Sequence, residues 1–321
     1  MRRWLKRLFV VAVVVVLALA FGVVPYVLSG FFTVGAFQMK DAENEGLTPR
    51  SFDLPFEDVS FQARDGVPLS GWWVPAENAK GTVVLVHGLN RSRIEMVRKC
   101  PFVHAQGWNA LLFDLRRHGK SGGTVRSLGY HERLDVLGAY DLARKRAPFP
   151  VVAWGISFGG AASALAAAEE PGIAGLVCDS SYRSLKDTAY LHLNLFRRFA
   201  WWVRPVPVWP TADIAIYWMG RRAHFDPAKL DIVAAASHLE GRPALFVADS
   251  ADERMPPDIA FDLKAAAGPK SEVLVIPGDR RVRGYRDGKP QYESAHGHAY
   301  RDGQAQYEHA VAGILEQVAA R

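Results

Sequence analysis

A serine stands between two glycines where a β-rich run meets an alanine-rich run. The stretch VVAWGISFGGAASALAAAEE covers residues 151–170, and Gly155, Ser157 and Gly159 form the pattern G-x-S-x-G. A serine on a sharp strand-to-helix turn exposes its Oγ, and the helix N-terminus beside it favours an oxyanion. Small residues two positions to either side avoid clashes there. The alternative is an ordinary glycine-rich turn, because three fixed positions recur by chance.

A serine nucleophile needs a general base, and that base needs an acid to orient it. In the fold in which a G-x-S-x-G turn presents the nucleophile, the chain order is serine, acid, histidine. Four histidines precede Ser157 and do not fit this order: His87, His104, His118 and His131. The segment PALFVADSADERMPP offers as acids Asp249, Asp252 and Glu253. The segment YESAHGHAY offers as bases His296 and His298.

Alternating strands and helices must position these residues. Short, uniformly apolar runs such as GTVVLVHG and VVAWGIS are typical of strands buried on both faces. FEDVSFQA and VPLSGWWVPA, joined by RDG, predict a β-hairpin. The order of elements predicts the α/β class, with a mainly parallel sheet covered by helices on both faces.

Composition narrows the possible functions. The chain has 321 residues, of which 49% are hydrophobic, and this favours one catalytic-sized domain behind a leader. Its formal charge of +6 falls to +2 without the four cations in the first seven residues, which argues against nucleic acid as a partner. Cys100 and Cys178 lack metal-type spacing, and we expect buried thiols rather than a disulfide.

Two further motifs bear on whether the protein holds a cofactor or a metal ion. HGKS at residues 118–121 has Asp114 where a phosphate-binding loop requires glycine, so that motif fails. His296 and His298 lack the HExxH pattern or a second ligand cluster. The sequence therefore predicts neither a metal nor a cofactor, and nothing in it specifies an oligomeric state.

The N-terminus carries a long apolar segment. Arg2, Arg3, Lys6 and Arg7 precede a run, Leu8–Leu28, that at ~1.5 Å per residue matches a hydrocarbon core. A signal peptide cleaved near Ala18–Ala20 is the alternative, although the apolar run continues beyond that point. The cations predict a cytoplasmic N-terminus, with the catalytic body on the far side of the inner membrane.

The sequence predicts three regions. Residues 1–29 form a transmembrane anchor, residues 30–55 a stalk of low order, and residues 56–321 the catalytic domain. An aromatic-rich insertion at about 182–239 breaks the strand–helix alternation and predicts a helical cap. The cap is expected either to pack on its own core or to line an apolar acyl pocket near the bilayer, helped by Arg197, Arg198 and Arg204.

Several segments resemble the α/β-hydrolase superfamily, and in particular its bacterial membrane-anchored branch of serine aminopeptidase-like and esterase-like hydrolases. VVLVHGLNRSR resembles the oxyanion loop of that family, LLFDLRRHGKSGG its D-x-R-x-H-G-x-S segment, and ADERMPP its acid loop. The likeness runs from about Phe56 to the C-terminus. Asp249 stands where the family usually has glycine.

The resemblance implies a role for each candidate. Ser157 would be the nucleophile and Asp252 the acid, because Asp252 begins the pattern D-x-x-x-P-P. His296 would be the base, since Tyr300 and Tyr307 follow it at the family's spacing, and His298 is held in reserve. The oxyanion hole would be formed by the backbone N–H groups of Leu89 and Phe158.

Three functional hypotheses follow. The first is a membrane-tethered serine hydrolase of carboxylic esters or thioesters, with small-molecule or lipid-like acyl substrates. The second is a peptidase of the same fold. The third is a catalytically silent binding module of the same fold, against which the ordered set of serine, acid and histidine argues.

Overall fold

An eight-stranded sheet forms the centre of the molecule. The computed structural model describes residues 2–35, 41, 43–147, 150–199, 204–278, 282–286, 289–292 and 295–321. The sheet's strands are Glu57–Gln62 (β1), Pro68–Val74 (β2), Thr82–Val86 (β3), Asn109–Phe113 (β4), Val151–Ile156 (β5), Ile173–Asp179 (β6), Ala244–Asp249 (β7) and Ser271–Ile276 (β8). Their spatial order is β1-β2-β4-β3-β5-β6-β7-β8. β2 pairs antiparallel with both β1 and β4, and the other pairs are parallel, so the predicted hairpin and mainly parallel sheet are confirmed.

Helices cover both faces of this sheet, as predicted. The helices of the body are Cys100–Ala105 (α3), Glu132–Arg146 (α4), Phe158–Glu169 (α5), Ile232–Ser237 (α8), Asp258–Ala267 (α9), Ala299–Asp302 (α10) and Gln304–Ala319 (α11). Successive side chains of a strand point to opposite faces. In β5, Val151 and Ala153 join a core with α4, α5, α8 and α9, whereas Val152 and Trp154 join a core with α3, α10 and α11.

The cap is a pair of helices, Leu185–Phe199 (α6) and Val208–Ala223 (α7). The predicted insertion extended to residue 239, but Ile232 and Ala236 of α8 are fully buried in the body's core, so α8 belongs to the body. Trp209 is 71% exposed and Phe196 is 48% exposed, so part of the predicted aromatic set faces outward. Trp201 and Trp202 lie outside the described residues.

A long apolar helix precedes the body. It consists of Arg2–Ala18 (α1), a turn of π-helix at Leu19–Val23, and Val24–Thr33 (α2). It is long and apolar enough to cross a membrane, with a mean hydropathy of 3.0, and a signal sequence meets the same criterion. The helix therefore continues past the predicted boundary at residue 29.

The second half of this helix is docked on the cap. Arg3 to Leu19 are exposed, but from Ala20 onward one face is covered, and Pro25, Ser29 and Thr33 are buried. Small and hydroxyl side chains on this face allow two helix backbones to approach closely. The N-terminal helix thus has a free part and a part that belongs to the folded domain.

Helices α2 and α7 run parallel to each other. The Tyr26 ring packs edge-on against Trp218, with centroids 5.1 Å apart, and the Arg222 guanidinium lies 3.9 Å from the Tyr26 centroid. Both helices also end at the same loop: Thr33 O accepts the Arg126 N–H, while Ala223 O accepts from a ring nitrogen of the nearby His131. The start of α7 therefore lies beside residues 19–23, where the free part of the helix begins.

The segment expected to be a stalk of low order is attached to the body instead. Residues 36–40 and 42 lie outside the described residues. Beyond them, Leu47, Phe52 and Leu54 pack against the core beneath α3 and α11, and Asn44 accepts a hydrogen bond from Arg98 at 2.6 Å. Apolar side chains at these positions bury area that a solvated linker would leave in water.

The C-terminal part of the domain holds a hairpin that the sequence did not predict. Its strands, Val282–Arg286 (β9) and Lys289–Tyr292 (β10), pair antiparallel just before the loop that carries His296. After that loop the chain forms two consecutive helices, α10 and α11, which are divided at Gly303. Cys100 and Cys178 are both free and buried, as predicted.

Candidate active site

The serine turn joins β5 to α5 through one strained residue. Ser157 has φ 52° and ψ −116°, a combination that costs a non-glycine residue about 1–3 kcal/mol and is found at functional sites. The two glycines are required by contact distances. A Cβ on Gly155 would lie 2.3 Å from the carbonyl carbon of Gly159, and a Cβ on Gly159 would lie 2.4 Å from His87 O.

The structure brings Ser157, His296 and Asp252 into one hydrogen-bonded chain. His296 Nε2 lies 2.8 Å from Ser157 Oγ, and His296 Nδ1 lies 2.7 Å from Asp252 Oδ2. These residues come from three separate loops at the carboxyl end of the sheet: Ser157 follows β5, Asp252 follows β7, and His296 lies in the segment after β8. The arrangement can take a proton from the serine hydroxyl and stabilise the imidazolium that forms.

The acid loop holds Asp252 in its ionised form. The side chain is fully buried, and its Oδ1 accepts the backbone N–H groups of Arg254 (2.8 Å) and Met255 (3.0 Å). Burial opposes ionisation, but the contact with His296 and these two N–H groups together hold the pKa of Asp252 below its usual value. A carboxylate in this state fixes the Nδ1–H tautomer of His296.

The other two acid candidates lie elsewhere in the loop. Asp249 ends β7, is fully buried, and accepts the Ala251 N–H at 2.8 Å. Burial raises the pKa of its carboxyl group. Glu253 is exposed. Among the three, Asp252 is the carboxylate placed against His296.

The two histidines of YESAHGHAY diverge because Gly297 between them has φ +75°. His298 is the N-cap residue of α10, and its Nδ1 lies 2.8 Å from the Arg301 guanidinium. The structure therefore places His296, and not this residue, at Ser157. Tyr307 anchors the region, because its hydroxyl donates to Asp179 at 3.0 Å and accepts from Trp154 at 3.0 Å.

Leu89 and Phe158 lie on loops that meet above neighbouring strands. Phe158 is the first residue of α5, and Leu89 follows β3, which pairs with β5 so that Val86 faces Gly155. Within the described residues, neither backbone N–H has a protein acceptor. N–H groups without a protein acceptor, one of them at a helix N-terminus, are of the kind that can donate to an oxyanion.

Five residues that the sequence did not single out for the site support the loop that carries Leu89. Asn90 has φ 61° and donates its backbone N–H to His118 Nε2 at 3.2 Å. Glu95 accepts the Gly88 N–H at 2.6 Å, and His87 accepts the Leu115 N–H at 3.0 Å. Arg126 donates to the Asn90 side chain. The sequence signal for Asn90 was its type, since asparagine tolerates positive φ better than most residues.

Burial keeps His87 neutral and lowers its pKa from 6.5 to about 4. The unfolded chain takes up a proton on this residue below pH 6.5, whereas the folded chain does so only near pH 4. Stabilisation by neutral His87 is therefore complete above pH 6.5 and is lost as the pH falls towards 4.

We expect the stability difference between the wild type and His87→Gln to shrink by about 1.4 kcal/mol per pH unit as the pH falls from 6.5 towards 4. Glutamine has no proton to gain, so the wild type alone loses this contribution. Urea unfolding in detergent at pH 7, 6 and 5 measures the difference. A difference that stays constant over this range would contradict a buried neutral histidine.

The cap reaches over the acid loop. His192 of α6 donates from Nδ1 to Thr188 O at 2.9 Å, so its Nε2 accepts from Arg254 at 3.4 Å. A cavity of about 840 Å³ lies further along the cap, and it is lined in part by Tyr130, Tyr217 and Phe225. The lining does not include Ser157, so hydrogen-bond geometry rather than cavity size locates the candidate site.

The segment LLFDLRRHGKSGG is a structural loop around a carboxylate. Asp114 accepts the backbone N–H groups of Arg93 and Lys120, each at 2.8 Å. A Cβ on Gly119 would lie 2.1 Å from this carboxylate. The loop therefore encloses its own aspartate, where a phosphate-binding loop would enclose a phosphate group. Among the described residues, no group of three or more His, Cys, Asp or Glu side chains is placed to hold a metal ion.

The fold and the loops at the carboxyl end of its sheet define an α/β hydrolase. Comparison with family models then assigns the chain: it belongs to the family described as serine aminopeptidase, S33, whose model matches residues 77–245. That match includes Ser157 and ends before Asp252 and His296. The chain is an α/β hydrolase of the esterase and peptidase kind.

Individual proteins are similar to this chain over much of its length. The chain is 31% identical over 208 residues to the protein YfhR of Salmonella typhi, covering 59% of this chain and 66% of YfhR. It is 23% identical to the alpha/beta hydrolase domain-containing protein WAV2 of Arabidopsis thaliana, covering 86% of this chain and 91% of WAV2. Among solved structures, the Pyrococcus furiosus esterase Pf2001 superposes with a TM-score of 0.64 at 20% identity, covering 85% of this chain and 94% of the esterase. The last likeness concerns the fold alone.

Proposed function

We propose that this protein is a membrane-tethered serine hydrolase that cleaves carboxylic ester or thioester bonds through an acyl-enzyme. The observation that carries the proposal is the chain of contacts from Ser157 Oγ to His296 (2.8 Å) and from His296 to Asp252 (2.7 Å). Distances in this range permit proton transfer without rearrangement of the side chains.

Each residue then has a defined task. Ser157 Oγ attacks the acyl carbonyl carbon while His296 Nε2 takes the hydroxyl proton. The oxyanion accepts hydrogen bonds from the N–H groups of Leu89 and Phe158, and Asp252 stabilises the imidazolium through Nδ1–H. His296 protonates the leaving alkoxide or thiolate. A water molecule, deprotonated by His296, then releases the acyl group from Ser157.

The N-terminal helix supports the membrane tether. Its free part, Trp4–Leu19, is exposed along its length and covers roughly 24 Å at ~1.5 Å per residue. A hydrocarbon core is ~30 Å thick, so the bilayer would reach the docked part of the helix and the start of α7. Trp209, 71% exposed, is at that level. We place the N-terminus in the cytoplasm and the catalytic domain on the periplasmic side, because four cations precede the span.

Apolar acyl groups are the substrates that this arrangement favours. The outward-facing aromatic side chains of the cap lie at the membrane end of the molecule, where tryptophan rings partition well. Arg197 lies in the last turn of α6 and Arg204 in the connection to α7, and the guanidinium group of each donates to the backbone carbonyl of the other. Their positive charges suit lipid headgroups. A lipid-like ester would reach the catalytic domain from the bilayer.

A panel of p-nitrophenyl esters in detergent tests this function. We expect kcat/KM to rise about 10-fold or more from the acetyl to the octanoyl ester, because each buried methylene adds binding energy. Ser157→Ala, measured in parallel, sets the background. A flat response from acetyl to long acyl chains would count against an apolar acyl site.

A peptidase is the second candidate, and the family description as serine aminopeptidase favours it. The same serine, histidine and aspartate can cleave amides, so the site geometry fits both activities. Aminoacyl p-nitroanilides, added to the ester panel, separate them. Faster turnover of an anilide than of every ester would reverse the assignment, and failure to cleave either class would support a silent binding module.

A further inference from the structure

The C-terminal end of the N-terminal helix meets a buried arginine. The Arg126 backbone N–H donates to Thr33 O at 2.8 Å. One nitrogen of its guanidinium donates to Phe31 O at 3.0 Å and to Gly35 O at 2.7 Å. Arg126 is only 2% exposed. The side chain is therefore enclosed. Two carbonyl groups at the helix end accept from its guanidinium, and a third accepts from the Arg126 backbone N–H.

The electrostatics of this contact favour the docked helix. The last carbonyl groups of a helix have no intrahelical partner and carry a partial negative charge. A cation at this end is stabilising, and more so when it is partly desolvated. Burial lowers the pKa of Arg126 below its ordinary value, and the neighbouring Arg117 lowers it further. A buried guanidinium is costly unless its donors are paired, so Arg126 depends on these carbonyl groups.

The other terminal nitrogen of the same guanidinium reaches the oxyanion loop. It donates to Asn90 Oδ1, and Asn90 follows Leu89 directly. The Asn90 backbone N–H is held in turn by His118 Nε2 at 3.2 Å. Asn90 is thus fixed through its side chain and its backbone, which holds the Leu89–Asn90 peptide group on the C-terminal side of the Leu89 N–H. The guanidinium group is planar and rigid, so one terminal nitrogen can donate to the helix end while the other donates to the Asn90 side chain.

We propose that Arg126 is a positioning residue that couples the docked N-terminal helix to the oxyanion loop. The helix is then part of the catalytic apparatus as well as a tether. This inference rests on the proposed hydrolase function. It does not depend on whether the chain is cleaved near Ala18–Ala20, because the contacts come from residues 31–35.

The coupling predicts a defect in the chemical step. An oxyanion hole acts on the transition state, so a displaced Leu89 N–H lowers kcat and leaves KM nearly unchanged. For Arg126→Ala we expect kcat for ester hydrolysis to fall about 10-fold to 100-fold, less than or similar to the loss of one oxyanion donor. Full-length protein in detergent micelles is the material for these measurements.

Arg117→Ala is the matched control. The Arg117 guanidinium donates to Val34 O, so it binds the same helix end, but the contact that reaches the Asn90 side chain comes from Arg126. We expect this variant to retain kcat within about twofold. A similar fall in kcat in both variants would show that helix docking alone matters and would overturn the role given to Arg126.

Two variants of Asn90 test the other end of the link without touching the helix. Asn90→Gly keeps the positive φ and removes the acceptor, and we expect the same fall in kcat as in Arg126→Ala. Asn90→Asp restores an acceptor and should recover most of the loss. The double variant Arg126→Ala/Asn90→Gly should have a kcat no lower than that of either single variant, because both substitutions break the same contact. Additive losses would contradict the link.

Hydrogen–deuterium exchange gives a readout that does not need activity. We expect faster exchange of the amides of residues 88–91 in Arg126→Ala than in Arg117→Ala. If the protein cleaves no ester but the amides of residues 88–91 exchange faster in Arg126→Ala, the proposed hydrolase function is wrong and the structural coupling stands. Unchanged exchange together with wild-type kcat and a lower melting temperature would make Arg126 a residue of stability alone. If Arg126→Ala does not fold, Arg126→Lys and Asn90→Gly carry the same comparison.

Discussion

Ser157→Ala should abolish covalent labelling by a fluorophosphonate probe and lower ester turnover by about 10⁴-fold or more. The hydroxyl oxygen of Ser157 is the only atom removed, and it lies 2.8 Å from His296 Nε2. Alanine keeps the same Cβ at the strained position, so the variant should fold. In-gel fluorescence of labelled membranes and turnover of a p-nitrophenyl ester measure the two effects.

Ser163→Ala provides the matched control for the nucleophile. Ser163 lies on the same helix, is buried, and donates to Gly159 O at 2.7 Å. This variant should label as the wild type does. Labelling that persists in Ser157→Ala would assign the nucleophile to another residue. A wild-type protein that does not label at all would contradict the serine hydrolase proposal.

His296→Ala should lower kcat by about 10⁴-fold, whereas His298→Ala should lower it by less than about tenfold. The first imidazole contacts both Ser157 and Asp252, and the second lies against Arg301 at the start of α10. The two residues are separated by one glycine, so the pair is matched in position and type. Turnover of one ester by both variants, with circular dichroism to verify folding, makes the comparison.

The outcome for the two histidines decides the base. A greater loss in His298→Ala would move the base to that residue and would also question the contact with Asp252. Equal losses would indicate that the loop as a whole, rather than one imidazole, supports activity. Only a large loss of kcat confined to His296→Ala agrees with the proposed mechanism.

The sheet and the serine turn were predictable because their signals are local. The uniformly apolar strands and the pattern G-x-S-x-G each occupy a few consecutive residues, and steric limits at Gly155 and Gly159 act within one turn. The acid partner of the histidine was harder to predict. Three carboxylates lie within five residues, and local patterning does not show which one faces a histidine that is 44 positions away. Family resemblance, not residue chemistry, selected Asp252.

The cap limits and the packing of residues 43–55 could not be predicted from patterning. α8 is a short apolar helix directly after the cap in sequence, and its assignment to the body depends on contacts with α5 and α9. Nothing in the sequence pattern indicated the role of Arg126 either. Its partners Phe31 and Gly35 are 95 and 91 positions away in sequence, and a single arginine in a loop is ordinarily solvated.

The docking of α2 on α7 has a consequence for where this hydrolase works. A flexible stalk as long as residues 30–55 would let the domain range over roughly 28 Å from its anchor. Because α2 is docked on α7 and residues 43–55 are attached to the body, most of that reach is removed. Under the proposed anchoring, the catalytic serine is held at one height above the lipid surface. Substrates would then be selected by their depth in the membrane as well as by their acyl group.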